Sequence, residues 1–90
     1  MSARLYAVAY DIPHDNRRTK LANVLKSYGE RVQYSVFECW LTPAEASELG
    51  QELAECIASD HDSVRIYRVR DSVRCLGVAK ATPQLETLVI

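Results

Sequence analysis

The spacing of apolar residues along this 90-residue chain predicts an α+β fold with the element order β-α-β(β)-α-β. Three observations carry that prediction. Leu5 to Tyr10 is apolar on both alternating faces, the pattern of a strand in the middle of a sheet. Two stretches, one beginning at Asp15 and one at Thr42, repeat apolar residues at helical spacing. β-rich segments lie between and after them. This order matches the split βαβ, or ferredoxin-like, plan, in which two helices cover one face of a mostly antiparallel sheet.

Each element can be read in turn. Arg4 to Asp11 is the first strand. Pro13 and Asp15 supply a turn and a candidate N-cap. The first helix is expected over 15–28, with Leu21, Val24, Leu25 and Tyr28 on its inner face and Gly29 as its stop. Arg31 to Leu41 contains Val32, Tyr34, Val36, Phe37 and Trp40, and reads either as one long strand or as two joined at a tight bend. Thr42-Pro43-Ala44-Glu45 is a capping box with proline at the first helical position. The second helix then buries Leu49, Leu53, Cys56 and Ile57 and turns its glutamates to solvent. Ser63 to Val69 is a strand near an edge, and Val73 to Val78 a further short β segment. The terminal stretch from Gln84 is apolar (Leu85, Leu88, Val89, Ile90), which suits an additional strand pairing with a partner subunit, or with its own sheet. The chain is expected to be a single domain over 1–90, with 79–90 as a C-terminal arm.

Composition limits the function. Ninety residues make one domain that buries only ~60–65% of its unfolded surface, so dimerisation would widen a thin stability margin. A sheet face left bare by the helices is a second reason to expect a homodimer. The longest apolar run has six residues, far short of a membrane span, and the expected compartment is the cytoplasm. Cys39, Cys56 and Cys75 are odd in number and widely spaced, which fits reduced thiols better than a disulfide framework or zinc knuckle. The net charge of −1 hides an uneven distribution: residues 41–60 carry five acids and no Lys or Arg, while the segments on either side are locally basic. One face can therefore attract nucleic acid while the acidic helix points away.

Asp11 is the first candidate for chemistry. It ends a central strand, where a metal or general base commonly sits, and its plainer role is that of a turn residue. One carboxylate rarely fixes a divalent ion, because Mg²⁺ prefers octahedral oxygen ligation. A two-fold axis near Asp11 would supply a second copy. Arg17, Arg18 and Lys20 follow at the start of the first helix, where forked guanidinium groups and free backbone N–H groups favour phosphate, and Arg31 returns charge to the same region. A solvated helix face is the alternative for these cations. Tyr10, Tyr34 and Phe37 could stack unpaired bases and Ser35 could hold a phosphate oxygen, although most strand aromatics belong to the core. His14 and His61 read as loop residues without a role.

Taken together, YDIP at 10–13, RR-x-K-L at 17–21, YGERVQYSVFEC at 28–39 and SVRIY at 63–67 resemble the CRISPR-associated protein 2 family over residues 4–69. The resemblance implies a ferredoxin-like homodimer of the spacer-acquisition machinery, part of antiviral defence. A strand-terminal aspartate from each protomer would face a shared cleft, and that residue matches Asp11, preceded by Tyr10. It implies a Mg²⁺-dependent endonuclease acting on single-stranded RNA or double-stranded DNA. The family's basic residues fall on Arg18, Lys20 and Arg31, and its aromatic on Phe37. It also implies a partner, the integrase CRISPR-associated protein 1, whose dimers the family's dimer bridges. Two classes of function follow. One is a nuclease in which paired Asp11 carboxylates hold Mg²⁺ while Arg17, Arg18, Lys20 and Arg31 steady the phosphate charge. The other is a non-catalytic DNA-binding scaffold for the integrase. A toxin-type ribonuclease of the same fold is a more distant alternative.

Overall fold

The computed structural model describes residues 2–84, which form β1 (Arg4–Asp11), α1 (Asp15–Lys26), β2 (Glu30–Gln33), β3 (Val36–Leu41), α2 (Pro43–Cys56) and β4 (Ser63–Arg68). The sheet order is β2-β3-β1-β4, and every neighbouring pair is antiparallel. β1 is central, as its two apolar faces require. The ferredoxin-like expectation holds.

Strand alternation divides the side chains between two faces. Val8 and Tyr10 of β1 and Phe37, Cys39 and Leu41 of β3 point toward the helices, where they meet Leu21 and Leu25 of α1 and Leu49 and Leu53 of α2 in one core. Val8, Phe37, Leu21, Leu25 and Leu49 are all fully buried, each stabilising the fold by about 1.5–3 kcal/mol. The opposite face carries Leu5, Ala7 and Ala9 of β1, which pair across the ladder with Trp40, Glu38 and Val36 of β3. Among the described residues no helix covers that face.

Four details differ from the sequence reading or sharpen it. The N-cap of α1 is His14 rather than Asp15: its backbone is extended and its ring Nδ1 accepts from the Arg17 N–H at 3.3 Å. Asp15 instead opens the helix, where its charge complements the helix dipole. The helix ends at Lys26 with Ser27 as its cap, two residues before the expected Tyr28. Gly29 serves a close approach rather than the stop, since a Cβ there would lie 2.2 Å from the Glu38 carbonyl oxygen and 2.6 Å from Cys39 Sγ. The stretch 31–41 is two strands, β2 and β3, turning at Tyr34–Ser35 with a bulge between Arg31 and Gln33.

The capping box of α2 forms as expected, with Glu45 N–H donating to Thr42 Oγ1 at 3.2 Å and Thr42 N–H to Glu45 Oε1 at 2.8 Å. The short β segment expected over 73–78 is absent. β4 makes its last ladder bond through Val69 N–H to Leu5 O at 2.9 Å, and the chain beyond it turns at Gly77, whose φ of 64° interrupts any extended path. The chain then returns to the uncovered face. Trp40 Nε1 donates to Thr82 O at 2.9 Å, and Thr82 Oγ1 donates to Glu38 Oε1 at 2.6 Å. The described part of the arm, 79–84, thus docks on β3 of its own chain, while the strand expected beyond it lies outside the described residues. Among the described residues no helix is long and apolar enough to cross a membrane.

Candidate nucleic-acid interface

Asp11 ends β1 as an exposed residue, between buried Tyr10 and buried Ile12. Its ladder partner on β4 is Ser63. Alternation puts Asp11 on the uncovered face with Ala7 and Ala9, and Tyr10 on the helix face. Among the described residues no group of three Asp, Glu, His or Cys side chains could hold a metal ion. Asp11 alone supplies only part of the octahedral oxygen shell of Mg²⁺, the rest of which water, a substrate phosphate or a second carboxylate would have to provide.

The cations that follow Asp11 are not equivalent. Arg17 is committed inside the fold. Its Nε donates to Asp62 Oδ2 at 2.7 Å and its Nη2 to Asp62 Oδ1 at 3.0 Å, a bidentate pair in which the Asp62 side chain is wholly inaccessible. The hydrogen bond from Arg17, helped by the Ala58 N–H at 2.8 Å, holds the Asp62 carboxyl down at about 2. This bond fixes the start of β4, and hence Ser63, beside Asp11. This pairing uses the Nε and Nη2 of Arg17 inside the fold and leaves its Nη1 as the nitrogen that could still meet a phosphate.

Arg18 is also engaged. Its Nη1 donates to Ile12 O at 2.9 Å and its Nη2 to the Asp15 carboxylate, so it braces the turn immediately after Asp11. Arg18 keeps a face toward a concavity of about 180 Å³ lined also by Tyr10, Lys26, Arg31 and Tyr34. Arg31 lies 5.3 Å from the Phe37 ring centroid, a cation–π contact on the helix side of the sheet. Three cations and no carboxylate line this concavity. Lys20 sits apart, exposed on α1 beside Asn16, Asn23 and Glu52.

The aromatic expectations divide as well. Phe37 is 0% exposed, so its ring has no free face for a base, and its role here is to support Arg31 from below. Tyr10 is buried, with its hydroxyl directed at Tyr34 O at 3.4 Å, and burial raises its pKa. Tyr34, 73% exposed at the β2–β3 turn, is the aromatic that stands free. Ser35 is half-buried, and its backbone carbonyl extends the β1–β3 ladder by accepting from Tyr10 N–H at 3.0 Å. Sequence reasoning missed Lys26 in the basic concavity and Asp62 as the partner of Arg17. The one available signal for Lys26 was its position two turns along the helix from Arg18.

The family model described as CRISPR associated protein Cas2 matches residues 4–74. Among curated relatives, the chain is 55% identical over 78 residues to "CRISPR-associated endonuclease Cas2 2" of Thermus thermophilus, covering 87% of each chain. It is 52% identical over 63 residues to "CRISPR-associated endoribonuclease Cas2 3" of a Synechocystis strain, covering 70% of this chain and 68% of that one. Among solved structures, the crystal structure of the hypothetical protein TT1823 from Thermus thermophilus superposes with a TM-score of 0.84 at 52% identity, over 90% of this chain and 99% of that one. A partial Cas6-RT-Cas1–Cas2 complex contains a chain that superposes with a TM-score of 0.63 at 32% identity, over 74% of this chain and 79% of that one. A family match over most of the chain, relatives at half identity or more, and the observed β-α-β-β-α-β sheet agree with one another, and the chain belongs to the CRISPR-associated Cas2 family.

Proposed function

We propose that this chain acts in CRISPR adaptation as a homodimeric, Mg²⁺-dependent endonuclease, with Asp11 as its catalytic carboxylate. The observation that carries the reading is the position of Asp11, exposed at the end of a central strand and facing the uncovered side of the sheet. Two copies meeting across that face would bring two Asp11 carboxylates together, a fuller donor set of hard oxygens for Mg²⁺ than one copy supplies. Bound there, the cation would lower the pKa of water and offset charge on a phosphodiester. Arg18, Lys26 and Arg31 would hold the nucleic-acid backbone, and Tyr34 is free to stack on an unpaired base. The names of the two relatives, endonuclease and endoribonuclease, support hydrolysis and leave both DNA and RNA as substrates.

The test is cleavage of single-stranded RNA and of duplex DNA by wild type and Asp11→Asn across a Mg²⁺ titration. The nuclease reading expects metal-dependent cleavage by wild type and at least a hundredfold loss in the variant. Equal cleavage by both would refute it.

One observation favours a second reading, a DNA-holding scaffold for an integrase. The basic concavity opens on the helix side of the sheet and Asp11 on the other, so phosphate contacts and the carboxylate do not converge within one chain. The Cas1–Cas2 complex among the structural relatives supports such a partner. In that case Asp11→Asn would bind duplex DNA and an integrase dimer as wild type does.

A further inference from the structure

The basic concavity between α1 and the β2–β3 turn is about 180 Å³, below the ~300–1,000 Å³ of sites that take a whole small molecule. Its lining lies on one side of the sheet. Arg18, Ala22 and Lys26 are four residues apart and share a face of α1, and the small Ala22 leaves a depression between the two cations. Arg31 pairs with Phe37 and sits over that ring, on the helix side, where alternation also puts Tyr10. Lys26 and Arg31 form no ion pair among the described residues, whereas Arg18 is held by Asp15. Tyr10 is 6% exposed, and its hydroxyl lies among these groups. Burial raises its pKa, and the nearby Arg31 and Arg18 guanidiniums oppose that rise. The acceptor for this hydroxyl, Tyr34 O, is 3.4 Å away, beyond the ~2.5–3.0 Å usual for O–H···O. A buried hydroxyl that reaches its acceptor so weakly, with two unpaired cations beside it, marks a place where a ligand oxygen belongs.

We propose that this concavity takes the terminal phosphate monoester of a nucleic-acid strand, with its oxygens on Arg31, Lys26 and the Tyr10 hydroxyl. The proposal rests on the reading of the concavity as a nucleic-acid contact and names the part of the strand that enters it. A phosphate inside a strand has a sugar on each side, and both would have to follow it into a depression of this size. A terminal phosphate enters with one sugar and carries three free oxygens and nearly two negative charges to the floor, where a diester carries one charge. Lys26 and Arg31 match that charge, and the buried hydroxyl is within reach only of a group that goes fully in. Tyr34, 73% exposed, lines the same concavity and is placed to stack on the terminal base. A 5′-phosphate and a 3′-phosphate offer the same chemistry.

The experiment follows the fluorescence anisotropy of an internally labelled single-stranded oligonucleotide titrated with the full chain, in Mg²⁺-free buffer at fixed ionic strength. Three forms of one sequence are compared: 5′-phosphorylated, 3′-phosphorylated, and hydroxyl at both ends. The proposal expects a phosphorylated form to bind about tenfold tighter than the hydroxyl form, as charge-assisted hydrogen bonds would give. Whichever end carries the preference identifies the source, and either supports the site. With each variant confirmed folded, Arg31→Gln and Lys26→Gln should reduce the preference to about twofold or less. Tyr10→Phe keeps the ring in the core and should reduce it as well. Val69 N–H bonds Leu5 O, so Arg70 lies at the other end of β1, and Arg70→Gln should keep the full preference despite the same loss of charge. Equal binding of the three forms, still weakened by Arg31→Gln, would overturn end recognition and leave a contact to the strand interior. Binding that depends on neither Arg31 nor Lys26 would overturn both the proposal and the reading beneath it. Without Mg²⁺ cleavage does not enter, so the nuclease reading is judged separately.

Discussion

The two ends of β1 both gather arginines, but they use them differently. At the Asp11 end, Arg17 and Arg18 are bound to Asp62, Asp15 and the Ile12 carbonyl, and their positive charge is largely spent on holding the chain together. At the Arg4 end, Arg4, Arg68 and Arg70 have no such partners among the described residues. The sequence makes the first group look like the phosphate site, since Arg17 and Arg18 are adjacent, near a helix start and next to a candidate catalytic residue. A cation's availability is set by what lies opposite it in space. Arg17 and Asp62 are 45 residues apart, and no periodicity links them.

That contrast can be broken or sharpened by substitution. The largest effect is expected at Phe37, which supports Arg31 from the core. Phe37→Ala should cost about 3–5 kcal/mol in urea unfolding, as for a large aromatic removed from a closed site. Phe37→Leu should keep most of the stability and all of the nucleic-acid affinity, because no base reaches the ring. A loss of affinity with stability retained would return Phe37 to the interface.

Gly29→Ala comes next, at about 1–3 kcal/mol, since the added methyl meets the β3 backbone rather than a movable side chain. Thermal unfolding checks it, and an unchanged midpoint would mean that the α1–β2 turn shifts freely.

The Arg17–Asp62 pair makes a prediction about pH. The Asp62 carboxyl sits at about 2 in the folded chain against an ordinary value of 3.8. A depressed folded value stabilises fully above the unfolded pKa and is lost as pH falls through the folded one. Asp62→Asn should therefore unfold at lower urea than wild type at pH 6, and the gap should close between about pH 4 and pH 2. A gap that is constant over that range would remove the ion pair from the account. The smallest effect belongs to Lys20, an exposed lysine on α1: Lys20→Gln should change stability by less than about 0.5 kcal/mol.

Much of the fold was legible because it rests on local patterns. The alternation of Leu5 to Tyr10, the capping box at Thr42 and the helical spacing of Leu49, Leu53 and Cys56 all report directly on burial, and the structure keeps each of them. The boundaries that moved depend on longer-range geometry. His14 replaces Asp15 as the cap because its ring reaches the Arg17 N–H, and Gly29 is required by the nearness of β3. The segment 73–78 has strand composition, but Gly77 and the Thr82 bonds to Glu38 and Trp40 turn it elsewhere. At the candidate site, Asp11 was readable from the end of an apolar run. Which cations are free was not, because Asp15, Asp62 and the Ile12 carbonyl compete for them only in the folded chain.

The most direct test is the salt dependence of duplex DNA binding by wild type, Arg17→Gln and Arg31→Gln, with all three confirmed folded. A side chain that contacts phosphate contributes about 0.9 to the slope of log K against log salt concentration. Arg31→Gln is expected to flatten the slope by about that amount, and Arg17→Gln to leave it unchanged while lowering the urea midpoint. A slope flattened by Arg17→Gln and untouched by Arg31→Gln would contradict the division between structural and free arginines.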